Sequence, residues 1–314
     1  MTLSLIEQSI PTVSIILPTY NRAELIGDAI SSVLAQSYGD FELIVVDDGS
    51  TDATAEVVDS FRDPRIVFLQ QENRGRAAAR NKAIMASRGR YIAFLDSDDE
   101  YLDQKLDLQV AYMDSHSDIG MVYTSAYCID ERGRPLDRHT YVASVAGDIY
   151  KDVAFFRPVT ITLPTVMLRR EVLDSVGYFD EAMERFEDTD LWRRVAKRYR
   201  VGIIVEPTCR LRTHRQNSLM AQNPGTIIAA IEYYVAKVFR EDADLGTPWL
   251  KEGASRLYEY YGKAFLSIPQ WRHHGVVLLV RSMTFAPRQG ARILFAGLTV
   301  FAGSLVRRCL AAMK

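Results

Sequence analysis

Between residues 13 and 95 the chain alternates four short apolar runs with three helix-like stretches, and this alternation restricts the fold more than any other feature. Val13–Leu17, Phe41–Val46, Arg65–Gln70 and Tyr91–Leu95 are too short for helices and rich in β-branched and aromatic residues, so they read as strands. Between the first two, Leu25, Ile26, Ala29, Ile30, Val33 and Leu34 recur at helical spacing, with Asn21 placed to cap that helix. Ala53–Phe61 and the alanine-rich Gly75–Ser87 supply the other two helices. A βαβαβαβ order implies a mostly parallel sheet covered by helices on both faces.

In such sheets ligands bind beyond the carboxyl ends of the strands. Three polar turns fall on that edge: Pro18-Thr19-Tyr20-Asn21-Arg22, Asp47-Asp48-Gly49-Ser50-Thr51-Asp52 and Asp96-Ser97-Asp98-Asp99. The last places three carboxylates at one strand end, where a divalent cation would offset their repulsion. Mg²⁺ and Mn²⁺ take carboxylate oxygens and share their other positions with phosphates and water. Taken alone, the cluster fits a capped, solvated turn equally well. Its place on the same edge as Asp47-Asp48 favours a ligand site.

Bulk properties narrow the function classes. The 314 residues can bury one large core or two smaller ones, and 48% hydrophobic with 25% charged residues is an ordinary globular composition. A net charge of -2 speaks against a nucleic-acid binder. Cys128, Cys209 and Cys309 have no metal-site spacing and are odd in number, which points to a reducing, cytoplasmic compartment. Glu7 and the absence of a basic-then-apolar opening leave no secretory signal. No Gly-x-Gly-x-x-Gly follows the first strand and no Gly-x-x-x-x-Gly-Lys-Ser/Thr occurs, against a dehydrogenase or a P-loop NTPase. The glycine-rich basic loop of a nucleotidyltransferase is also missing there.

From about residue 116 the pattern changes. Gly120–Ile129 reads as a strand ending in the turn Glu131–Arg134, residues 135–160 read as irregular, and Pro164–Leu168 and Val201–Val205 read as strands. A helix runs over Asp188–Tyr199, and from 221 the chain is helical, most clearly over Ile227–Arg240 and Leu250–Leu266. No Asp or Glu follows Glu259, while Lys263, Arg272, Arg281, Arg288, Arg292, Arg307, Arg308 and Lys314 do. The same tail carries the apolar runs Val276–Val280 and Ile293–Val306, the longer of them short of the ~20 residues that span a bilayer. Such a tail suits an anionic membrane surface, core-packed helices or a homo-oligomer interface.

Five strings then share one order and spacing: Val13 through Asn21, Phe41 through Ser50, Asn73-Arg74-Gly75 through Arg80-Asn81, Asp96-Ser97-Asp98, and Glu187-Asp188 before Leu191-Trp192. Over roughly residues 12–215 the chain resembles the family 2 glycosyltransferases. The resemblance implies the α/β GT-A nucleotide-diphospho-sugar transferase fold, a mixed, mostly parallel sheet flanked by helices with a C-terminal helical extension. The domain would cover 1–220, with a donor half over 12–115 and an acceptor half over 116–220, followed by the helical region 221–314. The implied activity is inverting transfer of a sugar from a nucleotide-diphospho-sugar, with UDP the leading nucleotide, to a hydroxyl. The acceptor would be a saccharide or lipid-linked saccharide of a cell-surface polysaccharide.

The same resemblance distributes roles. Pro18, Thr19, Tyr20 and Arg22 flank the nucleotide, and Asp48 accepts from the base while Asp47 supports its turn. One of Arg74, Arg76 and Arg80 pairs with the base or the diphosphate, the others being solvated. Asp96 and Ser97 lie at the ribose and metal region, Asp98 is the firmest ligand of Mn²⁺ or Mg²⁺, and Asp99 belongs to the turn. His214 reaches the metal or diphosphate as its segment closes, with Arg212 and Arg215 as phosphate contacts. Asp188 is the general base, and Glu187 shapes its field or binds acceptor. A non-catalytic donor-binding member is the alternative, disfavoured because Asp48, Asp96, Asp98 and Asp188 are all present. Expected partners are the donor, the acceptor and a membrane surface at the inner face of the cytoplasmic membrane, with no nucleic acid.

Overall fold

The computed structural model describes residues 10–155, 161–213, 222–295 and 297–299, the side chains of 137–139 excepted. Contacts divide the chain into two units, residues 1–153 with 158–214, and residues 154–157 with 215–314.

The first unit opens as the alternation predicts: β1 (Val13–Thr19), α1 (Ile26–Leu34), β2 (Phe41–Asp47), α2 (Thr54–Ser60), β3 (Ile66–Gln70), α3 (Arg76–Ala86) and β4 (Tyr91–Phe94). It continues with β5 (Glu100–Tyr101), α4 (Lys105–Ser115), β6 (Ile119–Ile129), β7 (Pro135–Tyr141), α5 (Tyr150–Val153), β8 (Val166–Arg169), α6 (Arg170–Val176), α7 (Glu187–Ala196) and β9 (Arg200–Arg212). The nine strands form one sheet in the order β3-β2-β1-β4-β8-β6-β9-β5, with β7 paired to β6. β3, β2, β1 and β4 are mutually parallel, β6 and β9 are parallel, and β8 runs antiparallel between β4 and β6. This is the mixed, mostly parallel sheet that the resemblance implies.

Every residue of β1 and β2 is buried, as expected of strands covered on both faces. Ile26, Ala29, Ile30 and Val33 of α1 pack in one core with Ile15, Leu17, Leu43 and Val45 of the sheet. Each such aliphatic side chain, fully buried, contributes about 1.5–3 kcal/mol. Within these strands Ser14 is paired: its Oγ donates to Glu42 Oε1 at 2.6 Å and accepts from Gly89 N at 2.8 Å. A Cβ on Gly89 would lie 2.6 Å from Ser14 N, so only glycine admits this close approach.

Three expectations are corrected. Asn21 does not cap α1; it has φ +50° and its Oδ1 accepts from Thr51 N at 2.8 Å, tying the first turn to the second. Residues 135–160 are not irregular throughout, for they hold β7 and α5. Among the described residues β7 pairs with β6 alone, and Pro135, Thr140 and Tyr141 are exposed, so no buried apolar run marks it in the sequence. β9 extends to Arg212, because a register shift near Pro207 interrupts the strand's pattern without ending it.

The second unit contains α8 (Pro224–Glu241), α9 (Thr247–Leu266) and α10 (Arg272–Phe285). α9 and α10 approach closely at Gly262 and Gly275, where a Cβ on Gly275 would lie 2.9 Å from Gly262 O. Ser255 and Ser282 hydrogen-bond across the same pair of helices at 2.9 Å. Within the run Val276–Val280, Leu278 and Leu279 are buried while Val276, Val277 and Val280 are exposed. Among the described residues no helix is long and apolar enough to cross a membrane.

Candidate active site

The parallel strands end on one edge. Thr19 stands beside Asp47 in register, and Phe94 beside Ile16, so the turns after β1, β2 and β4 open together. Pro18 is buried, Thr19 is 3% exposed, and Tyr20 is 45% exposed. The Thr19 hydroxyl is buried without a hydrogen-bond partner among the described residues, an arrangement that a bound polar ligand would satisfy. Arg22 N donates to Thr54 Oγ1 at 2.9 Å, and its guanidinium donates to Asn21 O at 3.2 Å. Asp47 Oδ1 accepts from Ser50 N at 2.9 Å, closing the turn it was expected to support. Asp48 accepts from Arg74 N and Gly75 N, both at 2.9 Å, and from Gln71 Nε2 at 2.7 Å. Its carboxylate thus organises the 71–75 loop beside the strand ends. Gly49, at φ +80°, lets the two segments touch, since a Cβ there would lie 2.9 Å from Asn73 N.

The acidic turn after β4 is held from two sides. Asp96 Oδ1 accepts from Arg80 Nη2 at 2.8 Å, and the Asp96 side chain stays one-third exposed. Ser97 is buried and Asp98 partly buried. Asp99 is buried and accepts from Arg212 N at 2.7 Å; burial first, then the negative charges of Asp96 and Asp98, push its carboxyl well above the usual carboxylate range. Arg212 is not poised for a phosphate: its Nε donates to Asp98 O at 2.9 Å and its Nη2 to Glu100 Oε1 at 2.8 Å. His214 and Arg215 lie outside the described residues.

Opposite this turn, α3 grips the segment that leads into α7. Arg80 is buried and bridges Asp96 to Glu187, with Nη1 at 2.9 Å from Glu187 Oε1. Arg76 Nε lies 2.7 Å from the same oxygen, and its Nη2 donates to Glu184 O at 2.7 Å. Arg74 pairs with Glu181 at 3.0 Å. All three arginines engage the 181–187 segment, Arg74 and Arg76 from largely exposed positions and Arg80 from a buried one. Asn81, which the sequence reading left without a role, exchanges hydrogen bonds with the Phe179 backbone at 2.9 and 3.0 Å. Its place beside Arg80 in the quoted string was the available signal.

Asp188 opens α7 beside Glu187 and is partly buried. Burial, and next the charge of Glu187, push its carboxyl up to about 6, against the Thr189 N–H and the cations Arg80 and Arg76. A carboxylate tuned this way is ionised at neutral pH yet takes a proton more readily than a free one. Behind it, Trp192 and Phe179 pack edge-on against Phe94 at 5.9 and 5.7 Å. Asp190, fully buried, pairs with Arg193 at 2.8 Å and Arg194 at 2.9 Å, fixing the helix. This triad was also missed, although its i, i+3, i+4 spacing is visible in the chain.

The family model described as Glycosyl transferase family 2 matches residues 14–177. The chain belongs to glycosyl transferase family 2. It is a glycosyltransferase of the GT-A type, with C-terminal helices added to the α/β domain. An uncharacterized glycosyltransferase of Methanocaldococcus jannaschii is 33% identical over 222 residues, covering 69% of this chain and 76% of that protein. TuaG of Bacillus subtilis, assigned to teichuronic acid biosynthesis, is 39% identical over 164 residues, 51% of this chain and 63% of TuaG. WfgD of Escherichia coli, a UDP-Glc:α-D-GlcNAc-diphosphoundecaprenol β-1,3-glucosyltransferase, is 49% identical over 102 residues, 32% of this chain and 40% of WfgD. The family 2 chain spans only 30–33% of the longer Rickettsia glycosyltransferases that it also matches. Among solved structures, Staphylococcus aureus TarS 1-349 in complex with UDP-GlcNAc superposes with a TM-score of 0.67 at 19% identity, covering 93% of this chain and 89% of that one.

Proposed function

We propose that this family 2 glycosyltransferase moves a sugar, with inversion, from a UDP-sugar to a hydroxyl of a saccharide or lipid-linked saccharide of a cell-surface polymer. The observation that carries the reading is the convergence of the β1, β2 and β4 turns, with Arg80 linking Asp96 of the β4 turn to Glu187 beside Asp188. WfgD, with its diphosphoundecaprenol-linked acceptor, and TuaG, with its polymer, support the acceptor class. The UDP-GlcNAc complex of TarS supports the donor class. The transferase domain would end near residue 220, the helical region beyond it being a separate part.

In this mechanism Pro18, Thr19, Tyr20 and Arg22 line the nucleotide, with Asp47 and Asp48 holding the loops around it. The acceptor oxygen attacks the anomeric carbon as Asp188 takes its proton. The bond from that carbon to the β-phosphate oxygen breaks, and the electron pair leaves with the nucleoside diphosphate. The residues fit a divalent cation: Asp96 commits one oxygen to Arg80, Asp98 is partly accessible, and the carboxyls of the turn repel one another. An ion held there would share its remaining positions with the diphosphate and water. When bound, it would neutralise charge on the departing diphosphate. Asp98 and Asp96 are the proposed ligands, and His214 is a third candidate.

Thermal shift of the full chain against UDP-, dTDP- and GDP-sugars, with and without Mn²⁺, tests the donor reading. The expected result is stabilisation by a UDP-sugar that grows with Mn²⁺ and is lost in Asp98→Ala. Response to none of the nucleotides would overturn it.

The C-terminal unit supports a second proposal, peripheral membrane contact. Val276, Val277 and Val280 of α10 are exposed, as are Leu294, Phe295 and Leu298, while Arg281 and Arg292 are partly neutralised by Glu232 and Glu259. Co-sedimentation with phosphatidylglycerol vesicles is expected for the full chain and should fall in the variant carrying Val276→Glu, Val280→Glu and Phe295→Glu. Equal sedimentation of both proteins would count against membrane contact.

A further inference from the structure

We propose that Arg80 is a positioning residue acting on Asp188 through Glu187, and that the exposed end of α3 clamps the base-bearing segment instead of binding donor. The proposal rests on the reading of Asp188 as general base.

Six contacts from four residues carry it. Arg74 holds Glu181, Arg76 holds Glu184 O and Glu187, Arg80 holds Glu187, and Asn81 holds both the N–H and the C=O of Phe179. The gripped segment ends in a strained residue. Phe186, at the N-cap of α7, has φ +66° and ψ 12°, a left-handed conformation that is unfavourable for a bulky side chain and persists only where the surroundings enforce it. That residue immediately precedes Glu187-Asp188, so the direction in which the base points depends on the clamp.

Arg80 is the centre of this device. Its side chain is 5% exposed, and its two terminal nitrogens are spent on Asp96 and Glu187 at 2.8 and 2.9 Å. Turning towards a donor would strip the buried Glu187 of one of its two cations. The charged groups facing Asp188 are Glu187, Arg80 and Arg76. Their signs make two opposite predictions. Removing Arg80's charge should make Asp188 hold its proton to higher pH, whereas removing Glu187's charge should make it release the proton at lower pH.

Carboxyl-¹³C NMR of the full chain labelled at aspartate reads this directly, with the Asp188 signal identified by its loss in Asp188→Asn. Arg80→Gln is expected to raise the Asp188 midpoint by about one pH unit or more, Arg80→Lys to restore most of it, and Glu187→Gln to lower it. Wild-type binding of the probe UDP-GlcNAc should survive in Arg80→Lys. An unmoved midpoint in a folded Arg80→Gln, or loss of UDP-GlcNAc binding with the midpoint unmoved, would overturn the proposal. If Arg80→Gln fails to fold, Glu187→Gln decides: a downward shift supports the clamp and no shift overturns it. Full transfer activity in Asp188→Asn would instead remove the base reading, and the positioning role with it, whatever the midpoints do.

Discussion

Asp188→Asn is expected to lower transfer by about 10²–10⁴-fold, the usual contribution of a general base, while leaving nucleotide-sugar binding in place. In the wild type, kcat/KM should rise with pH along a limb centred near the value of about 6 to which burial and Glu187 push this carboxyl. The same substitution should stabilise the protein at neutral pH. A carboxyl that titrates at about 6 when folded and near its ordinary 3.8 when unfolded binds protons more tightly in the folded state. Its favourable contribution is present below the unfolded value and lost as pH rises through the folded one. At pH 7.5 the ionised Asp188 is therefore a burden that asparagine removes, and Tm should rise. At pH 4 the advantage should vanish. Paired activity and melting curves at the two pH values check this; unchanged activity, or a lower Tm at pH 7.5 with no regain of stability on acidification, would refute it.

Asp190→Asn should have the largest effect on stability. Asp190 and Arg193 are both fully buried, and Arg194 shares the same carboxylate. Removing one partner of a buried pair costs about 3–5 kcal/mol, because the remaining charge loses its counter-ion without regaining water. For a domain of this size that is a fall in Tm on the order of 10 °C. Turnover per folded molecule, measured well below the new midpoint, should fall much less than in Asp188→Asn. A Tm within about 2 °C of wild type would show that the triad is energetically unimportant.

The contrast between these two aspartates indicates what was legible in the chain. β1, β2 and β4 were readable because each is buried along its whole length and appears as an unbroken apolar run, while the half-buried β3 at the sheet edge is marked by its β-branched and aromatic residues alone. β7 was not, because its place at the side of β6 gives it no such run. The carboxylate turns were found from their position at strand ends, where the topology must bring them together. The partners of the arginines were not. A guanidinium in a sequence carries its charge but not its direction, and the carboxylate that claims Arg80 lies 107 residues further along. Asn21 failed in a related way: its residue type suits a helix cap, but a tertiary partner, Thr51 N, claimed the side chain first.

β8 carries a consequence for how this chain is made. It runs antiparallel between β4 and β6, yet it is contributed by residues 166–169, long after both neighbours have been synthesised. The first four parallel strands can assemble as soon as they emerge from the ribosome, but β4 then presents an open row of backbone donors and acceptors. Such an edge invites pairing with other chains until it is covered. The four residues of β8 cover β4 on one side and β6 on the other. A nascent chain stalled before that point would be the form of this protein most exposed to aggregation.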